Sequence, residues 1–217
     1  MTRADGSASL AITGGDLDDV EGSLGFATVD AEAASRVRQL LRRGATVTER
    51  VTLEAGADVL VDLWVPVPTM VIVGPGAIAD ALIAQAGLLG WVAGRADTVA
   101  EADAAVAAFT DADVLVLLDH DPAFDAVLRT GLGHGAGTGR GFLGALGSRR
   151  TQAARRERLL AAGVTEDRLA RIHGPVGLDL GARTPAETAV SIVGEVLAAR
   201  SGRDPSALGV AAGPIGA

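Results

Sequence analysis

Met70-Val71-Ile72-Val73-Gly74-Pro75-Gly76-Ala77-Ile78-Ala79 is the stretch whose reading decides the fold. Four apolar residues, too few for a helix, run into a Gly-Pro-Gly turn, and an alanine-rich segment over residues 77–89 continues at helical spacing. A short buried strand that turns directly into a helix is the opening of a βαβ unit. The turn has the form G-x-G-x-x-A: Gly74 permits the tight turn, Gly76 lets a ligand approach the backbone, and small Ala79 lets helix and strand pack closely. The N–H groups of the helix start then face outward, towards an anion. Gly74, Gly76 and Ala77 are therefore candidate cofactor contacts, and close packing alone is the alternative reading of the turn.

Downstream the alternation of strands and helices continues. A weak strand over residues 91–93 is expected to lead to a helix over 99–109 and then to the strongest strand of the sequence, 114–118, with Asp113 at its entry. Pro122 opens a helix to about residue 130, and glycine then takes every second position from Gly131 to Gly141, a spacing that suits a flexible loop. A strand over 142–146, an arginine-rich helix over 148–162 and a brief helix over 165–171 follow. The last helix begins at Thr184-Pro185-Ala186-Glu187, where Thr184 is a good N-cap, Pro185 suits the first helical position and Glu187 closes a capping box. Beyond Arg200 small residues, Gly and Pro predominate, which predicts a disordered tail over 201–217.

Upstream, Pro66 and Pro68 mark a boundary. Two β-prone runs, 46–53 and 58–65, flank Glu54-Ala55-Gly56-Ala57 and predict a hairpin-like pair. Before them, Asp30 precedes an amphipathic helix carrying Ala34, Val37, Leu40 and Leu41 and stopped by Arg42, Arg43 and Gly44. Gly14, Gly15, Asp16, Asp18 and Asp19 read as a solvated acidic loop, and the first dozen residues as a mobile segment. The expected fold class is α/β: a Rossmann-like, mainly parallel sheet with helices on both faces over 70–200, preceded by a small α+β part over 1–69.

Composition sets limits on function. At 217 residues and 48% hydrophobic content the chain can bury a sizeable core. The net charge of -8 argues against a nucleic-acid surface, which needs clustered positive charge. No cysteine is present, which excludes disulfides, thiolate metal ligands and cysteine nucleophiles. Residues 1–10 lack the apolar core of a signal peptide, and no stretch reaches the ~20 apolar residues of a membrane span, so a cytoplasmic location is expected.

Open parallel sheets receive ligands outside the carboxyl ends of their strands, so function should gather at strand-to-helix turns. Asp119-His120-Asp121 ends the strongest strand. Adjacent residues on an extended chain point to opposite faces and do not converge readily on one ion, which leaves ligand contact, or a structural turn in which Asp121 caps the Pro122 helix. At Gly147-Ser148-Arg149-Arg150, Ser148 can cap a helix. Two cations in a first helical turn oppose the helix dipole, and an anion that pairs with both accounts for them; a solvated basic face, extended by Arg155, Arg156 and Arg158, is the other reading. The glycine-punctuated segment from His173 through Gly177 and Asp179 to Gly181 reads as a crevice rim with Asp179 free to accept ligand hydrogen bonds, or as a buried, hydrogen-bonded His173. A nicotinamide enzyme would place an acid about 20 residues past the first glycine. The sequence there reads Trp91-Val92-Ala93-Gly94-Arg95, without an acid; Asp97 substitutes only if the second strand is shorter than usual, and Arg95 suits a phosphate instead.

Taken in order, Val71-Ile72-Val73-Gly74-Pro75-Gly76, Asp119-His120-Asp121-Pro122, Gly144-Ala145-Leu146-Gly147-Ser148-Arg149-Arg150-Thr151, Arg171-Ile172-His173-Gly174-Pro175-Val176-Gly177-Leu178-Asp179 and Gly181-Ala182-Arg183-Thr184-Pro185-Ala186-Glu187 resemble the XdhC/CoxI family over residues 66–197. The resemblance implies a non-catalytic accessory protein that binds the molybdenum cofactor, a phosphate-bearing pterin, and helps mature or insert it into a xanthine-dehydrogenase-like or CO-dehydrogenase-like molybdenum hydroxylase. The implied partners are that apoenzyme and a cysteine desulfurase, with a homodimer as the candidate assembly. The sequence departs from the family where a Ser-Gly-Gly-Cys stretch is usual: Gly22-Ser23-Leu24-Gly25 stands there, and thiolate ligation of molybdenum is excluded. The N-terminal part is expected to be a shortened form of the family's module. The alternative from a different class is an NAD(P)-binding oxidoreductase or nucleotide-binding regulator, and a third reading keeps only a docking surface for the apoenzyme.

Overall fold

The computed structural model describes residues 1–13, 19–41, 46–133 and 141–207. These form two compact units, Met1–Pro66 and Val67–Ala207. The boundary therefore falls between Pro66 and Val67, three residues before the expected start at residue 70.

The first unit holds β1 (Thr2–Arg3), β2 (Ser9–Thr13), β3 (Asp19–Ser23), α1 (Ala27–Leu41), β4 (Val47–Thr52) and β5 (Asp58–Leu63). The strands pair antiparallel in the order β3-β2-β1-β5-β4. Strict alternation drives β5: Val59, Val61 and Leu63 point inward, while Asp58, Leu60 and Asp62 point outward. Val29, Ala33, Val37 and Leu40 of α1 meet them in one apolar core. The hairpin is as expected, but the first dozen residues are strand-forming rather than an irregular segment. They supply β1 and β2, and Met1 donates its ammonium to the Leu10 carbonyl at 2.7 Å. Asp19 begins β3; the rest of the expected acidic loop, and the stop signal at residues 42–44, lie outside the described residues. The helix starts at Ala27, so Asp30 lies in its first turn, where its carboxylate accepts the Leu24 N–H and the Ser23 hydroxyl, each at 2.7 Å.

The second unit runs β6 (Thr69–Val73), α2 (Ala77–Leu88), β7 (Val92–Ala96), α3 (Val99–Ala107), β8 (Val114–Leu117), a 3₁₀ turn (Pro122–Phe124), α4 (Asp125–Gly131), β9 (Phe142–Ala145), α5 (Arg149–Ala161), α6 (Glu166–Leu169), β10 (Ile172–His173) and α7 (Pro185–Ser201). All five strands are parallel, in the order β10-β9-β8-β6-β7. The inner strands are apolar on both faces because helices cover both. Met70, Ile72, Val114 and Val116 pack under α2 and α7 through Leu82, Ala86, Ile192 and Val196. Val71, Val73, Leu115 and Leu117 pack under α3, α4 and α5 through Val106, Leu128 and Leu159.

Several boundaries differ from expectation. Strand β7 is not confined to residues 91–93 but continues to Ala96. The Pro122 helix opens as a 3₁₀ turn. His173 lies in an edge strand rather than in an irregular loop. The last helix ends at Ser201, where Gly202 closes it in the left-handed conformation at φ 64°; of the expected tail, residues 208–217 lie outside the described residues, as do 134–140 of the glycine-alternating loop.

At the amino end of the sheet the chain seals itself. Buried Asp113, just ahead of β8, accepts the Thr69 N–H at 2.8 Å, the Thr110 N–H at 2.7 Å and the Thr110 hydroxyl at 2.8 Å. At the carboxyl end the arrangement differs. Strand β6 has β7 on one side and β8 on the other, so the connections leave in opposite directions and open a crevice between the turns that follow β6 and β8.

Candidate functional site

The crevice is built from three neighbouring turns. The first leaves β6 at Gly74. Its φ of 104° and its closeness to the β8 turn both require glycine, since a Cβ would stand 3.1 Å from the Asp119 nitrogen. The Val73 carbonyl accepts the N–H groups of Leu118 at 2.8 Å and Asp119 at 3.2 Å, which binds the two turns side by side. Gly76, at φ 115°, caps α2 without a side chain, and a Cβ there would meet nothing within 4 Å. Gly76 and Ala77 are exposed, so the start of α2 opens onto free space.

The second turn follows β8. Asp119 is half-buried, and its Oδ1 accepts the Asp121 N–H at 2.8 Å. Asp121 Oδ1 accepts the Ala123 N–H at 2.9 Å, so this residue is the cap that one reading of the sequence anticipated. Only His120 projects without a structural partner of this kind, exposed between them. Among the described residues no three of His, Asp and Glu are grouped to hold a metal ion.

The third turn follows β9. Ser148 caps α5, its hydroxyl accepting the Thr151 N–H at 3.1 Å. Gly147, at φ 136°, is half-buried against the Thr151 side chain. Arg149 and Arg150 are exposed and have no ion-pair partner among the described residues. One basic pair is therefore held at the open end of the sheet beside the first turn of a helix.

The fourth predicted segment is engaged internally instead. His173 Nδ1 lies 2.9 Å from Glu195 Oε1, and the imidazole stacks on Phe142 with ring centroids 4.2 Å apart. Glu195 Oε2 accepts the Gly177 N–H at 2.5 Å, and a Cβ on Gly177 would stand 2.6 Å from the Ser191 hydroxyl. Burial pushes the Glu195 carboxyl up, but the hydrogen bonds from His173 and Gly177 and the His173 charge outweigh it and hold it below its ordinary value. His173 and Gly177 thus bind the segment to α7; His173 is hydrogen-bonded, as one reading of the sequence has it, but half-buried rather than buried. Asp179 is exposed beyond them.

Two residues named from the sequence stand elsewhere than expected. Asp97 stands directly at the carboxyl end of β7, beside the β6 turn, not because that strand is shorter than usual but because it continues to Ala96. Arg95 Nε donates to Asp97 Oδ1 at 2.8 Å, and this pairing raises the Arg95 guanidinium above its usual value. The second residue is Arg155. It was grouped with the solvated basic face but is 2% exposed, the largest fully buried side chain among the described residues. The spacing of Gln152, Arg155 and Leu159 is the signal that places it on the inner face of α5.

Residues 70–196 match the family described as the XdhC Rossmann domain. The chain is similar to an uncharacterised protein, YqeB, of Escherichia coli (strain K12), at 45% identity over 56 residues; that stretch is 26% of this chain and spans only 10% of the relative. Among solved structures it resembles one described as a xanthine dehydrogenase from Bacillus halodurans, with a TM-score of 0.50 and 19% identity over 87% of this chain and 69% of that one. At that identity the likeness speaks for the fold.

Proposed function

The chain belongs to the XdhC family, and from that premise we propose that it is an accessory protein which binds the molybdenum cofactor and helps mature or insert it into a xanthine-dehydrogenase-like or CO-dehydrogenase-like molybdenum hydroxylase. The observation that carries the reading is the meeting of the Gly74–Ala77, Asp119–Asp121 and Gly147–Arg150 turns at the adjacent ends of β6, β8 and β9, with Arg149 and Arg150 exposed and without an ion-pair partner among the described residues. A pterin that bears phosphate suits this chemistry: open backbone at Gly76 admits the ligand closely, and a planar guanidinium pairs with phosphate oxygens. The chain offers the metal no thiolate, and the guanidinium and backbone N–H groups of these turns suit the phosphate of the organic part of the cofactor. When bound, the cofactor supplies the molybdenum centre that the client enzyme uses; this chain orients and shields it. The partner is the apoenzyme of such a hydroxylase, with a cysteine desulfurase and self-association into a homodimer as further proposals.

Mixing the full chain with molybdopterin under anaerobic, reducing conditions tests the reading. Co-elution on a sizing column is expected, and free elution of the pterin refutes it.

A second reading, NAD(P) binding, is favoured by Asp97. An acid at the end of the second strand is where ribose hydroxyls are held, and the Arg95 beside it suits a 2′-phosphate. Calorimetric titration with NADH and NADPH decides it: saturable heat at micromolar ligand supports this reading, and none removes it.

A further inference from the structure

We propose that Arg155, which is 2% exposed, is the positioning residue of the crevice: one buried guanidinium holds the turns after β8 and β9 in a single arrangement. The inference rests on the binding role given to those turns above. Arg155 Nη2 donates to the Asp119 carbonyl at 3.3 Å, and Nη1 to the Leu146 carbonyl at 3.5 Å and to Gln152 Oε1 at 3.1 Å. Its Nε donates to Asp125 Oδ1 at 3.2 Å. Gln152 in turn donates its Nε2 to the Ala145 carbonyl at 2.9 Å, and Gly174 lies so close that a Cβ would stand 2.6 Å from Gln152 Oε1. The ends of β8, β9 and β10 thus converge on two side chains of α5.

The choice of arginine follows from the number and directions of the groups served. Asp119 and Leu146 lie beyond the last residues of β8 and β9, and their carbonyls need donors from elsewhere. A planar fork with five N–H groups reaches two carbonyls, an amide and a carboxylate at once, whereas an ammonium is a compact point charge with three donors. The environment opposes the charge. Burial pulls the Arg155 guanidinium below its usual value, the Asp125 charge and hydrogen bond pull it back, and Arg158 lowers it again. Arg158 Nε also donates to Asp125, at 2.6 Å, so one carboxylate serves two cations. An apolar residue at 155 would avoid the desolvation cost but leave these carbonyls without their partner. The control extends to the first turn, because Gly74 packs directly on the Asp119 backbone that Arg155 holds.

Hydrogen-deuterium exchange on the full-length protein tests the proposal with Arg155→Lys and Asp125→Asn, read beside molybdopterin affinity. In both variants exchange should accelerate about tenfold or more in peptides covering residues 118–121 and 146–151, in line with the loss of hydrogen bonds to a charged group. Peptides from the opposite end of the sheet, 108–113, should exchange as in the wild type, and affinity should fall about tenfold for the same reason. If either folded variant leaves the crevice turns unchanged, or speeds exchange evenly across the sheet, Arg155 is not a positioning residue. Should Arg155→Lys not fold, Asp125→Asn alone decides by the same criterion. A wild-type protein that binds no molybdopterin refutes the function above, while the exchange pattern still decides the role of Arg155.

Discussion

His173 and Glu195 are joined across the edge of the sheet at 2.9 Å, and the second oxygen of the same carboxylate holds the Gly177 N–H at 2.5 Å. A carboxyl held below its ordinary 4.5 contributes stability that is present above that value and is lost as pH falls through the lower, folded-state value. Glu195→Gln should therefore be less stable than wild type by about 1 to 3 kcal/mol at neutral pH, the cost of removing a charged hydrogen-bond acceptor. Urea unfolding should show that gap narrowing as pH drops below 4.5. A gap that is the same at both pH values contradicts the account.

Gly144 lies in β9 where a Cβ would come within 2.6 Å of Val176 Cγ2 and 2.9 Å of Phe142. Gly144→Ala overpacks this site and should cost about 1 to 3 kcal/mol. Because Phe142 is the ring on which His173 stacks, the His173 NMR resonances should move as well. Wild-type stability with unmoved resonances contradicts the packing described.

Thr184 and Glu187 form a complete capping box at the start of α7, with the Thr184 hydroxyl accepting the Glu187 N–H at 3.2 Å and Glu187 accepting the Thr184 N–H at 2.9 Å. Thr184→Ala should lower stability by about 1 kcal/mol. Thermal unfolding reads the loss as a drop of a few degrees, and Thr184→Ser should recover most of it.

Replacing Arg149 and Arg150 together by Ala breaks no ion pair among the described residues, so unfolding free energy should stay within about 0.5 kcal/mol of wild type. Affinity for molybdopterin should nonetheless fall, and the wild-type affinity should weaken with added salt more steeply than that of the variant. Equal affinities, or equal salt dependences, would place the anion elsewhere.

The sequence reveals the parts of the fold whose local chemistry is self-sufficient. The Gly74–Gly76 turn and the Thr184 capping box are legible because each is specified within a few residues. Strand β7 is read short because it is the edge of its sheet: with one side unpaired it tolerates Gly94 and Arg95, which interrupt the apolar run. That shortening in turn separates Asp97 from the strand end at which it stands. The N-terminal strands are hidden for a related reason, since β3 has all five residues exposed and β1 only two residues, and their pairing depends on partners distant in the chain. Arg155 is the instructive case. Its neighbours Arg156 and Arg158 carry the signature of a solvated face, and only its register with Leu159 distinguishes it.

The carboxylate of Asp113 and its three donors make the amino end of the parallel sheet a closed end, occupied by the chain's own groups, while the opposite end carries the exposed Arg149 and Arg150. This polarity gives the experimenter a handle. A fluorophore or surface tether introduced at exposed Asp111, in the connection that leads to Asp113, stands at the closed end and leaves the arginine-bearing turns facing solution. Immobilised in that orientation, the molecule presents the same face to a pterin, a dinucleotide or an apoenzyme, and competition among the three is measured on one surface.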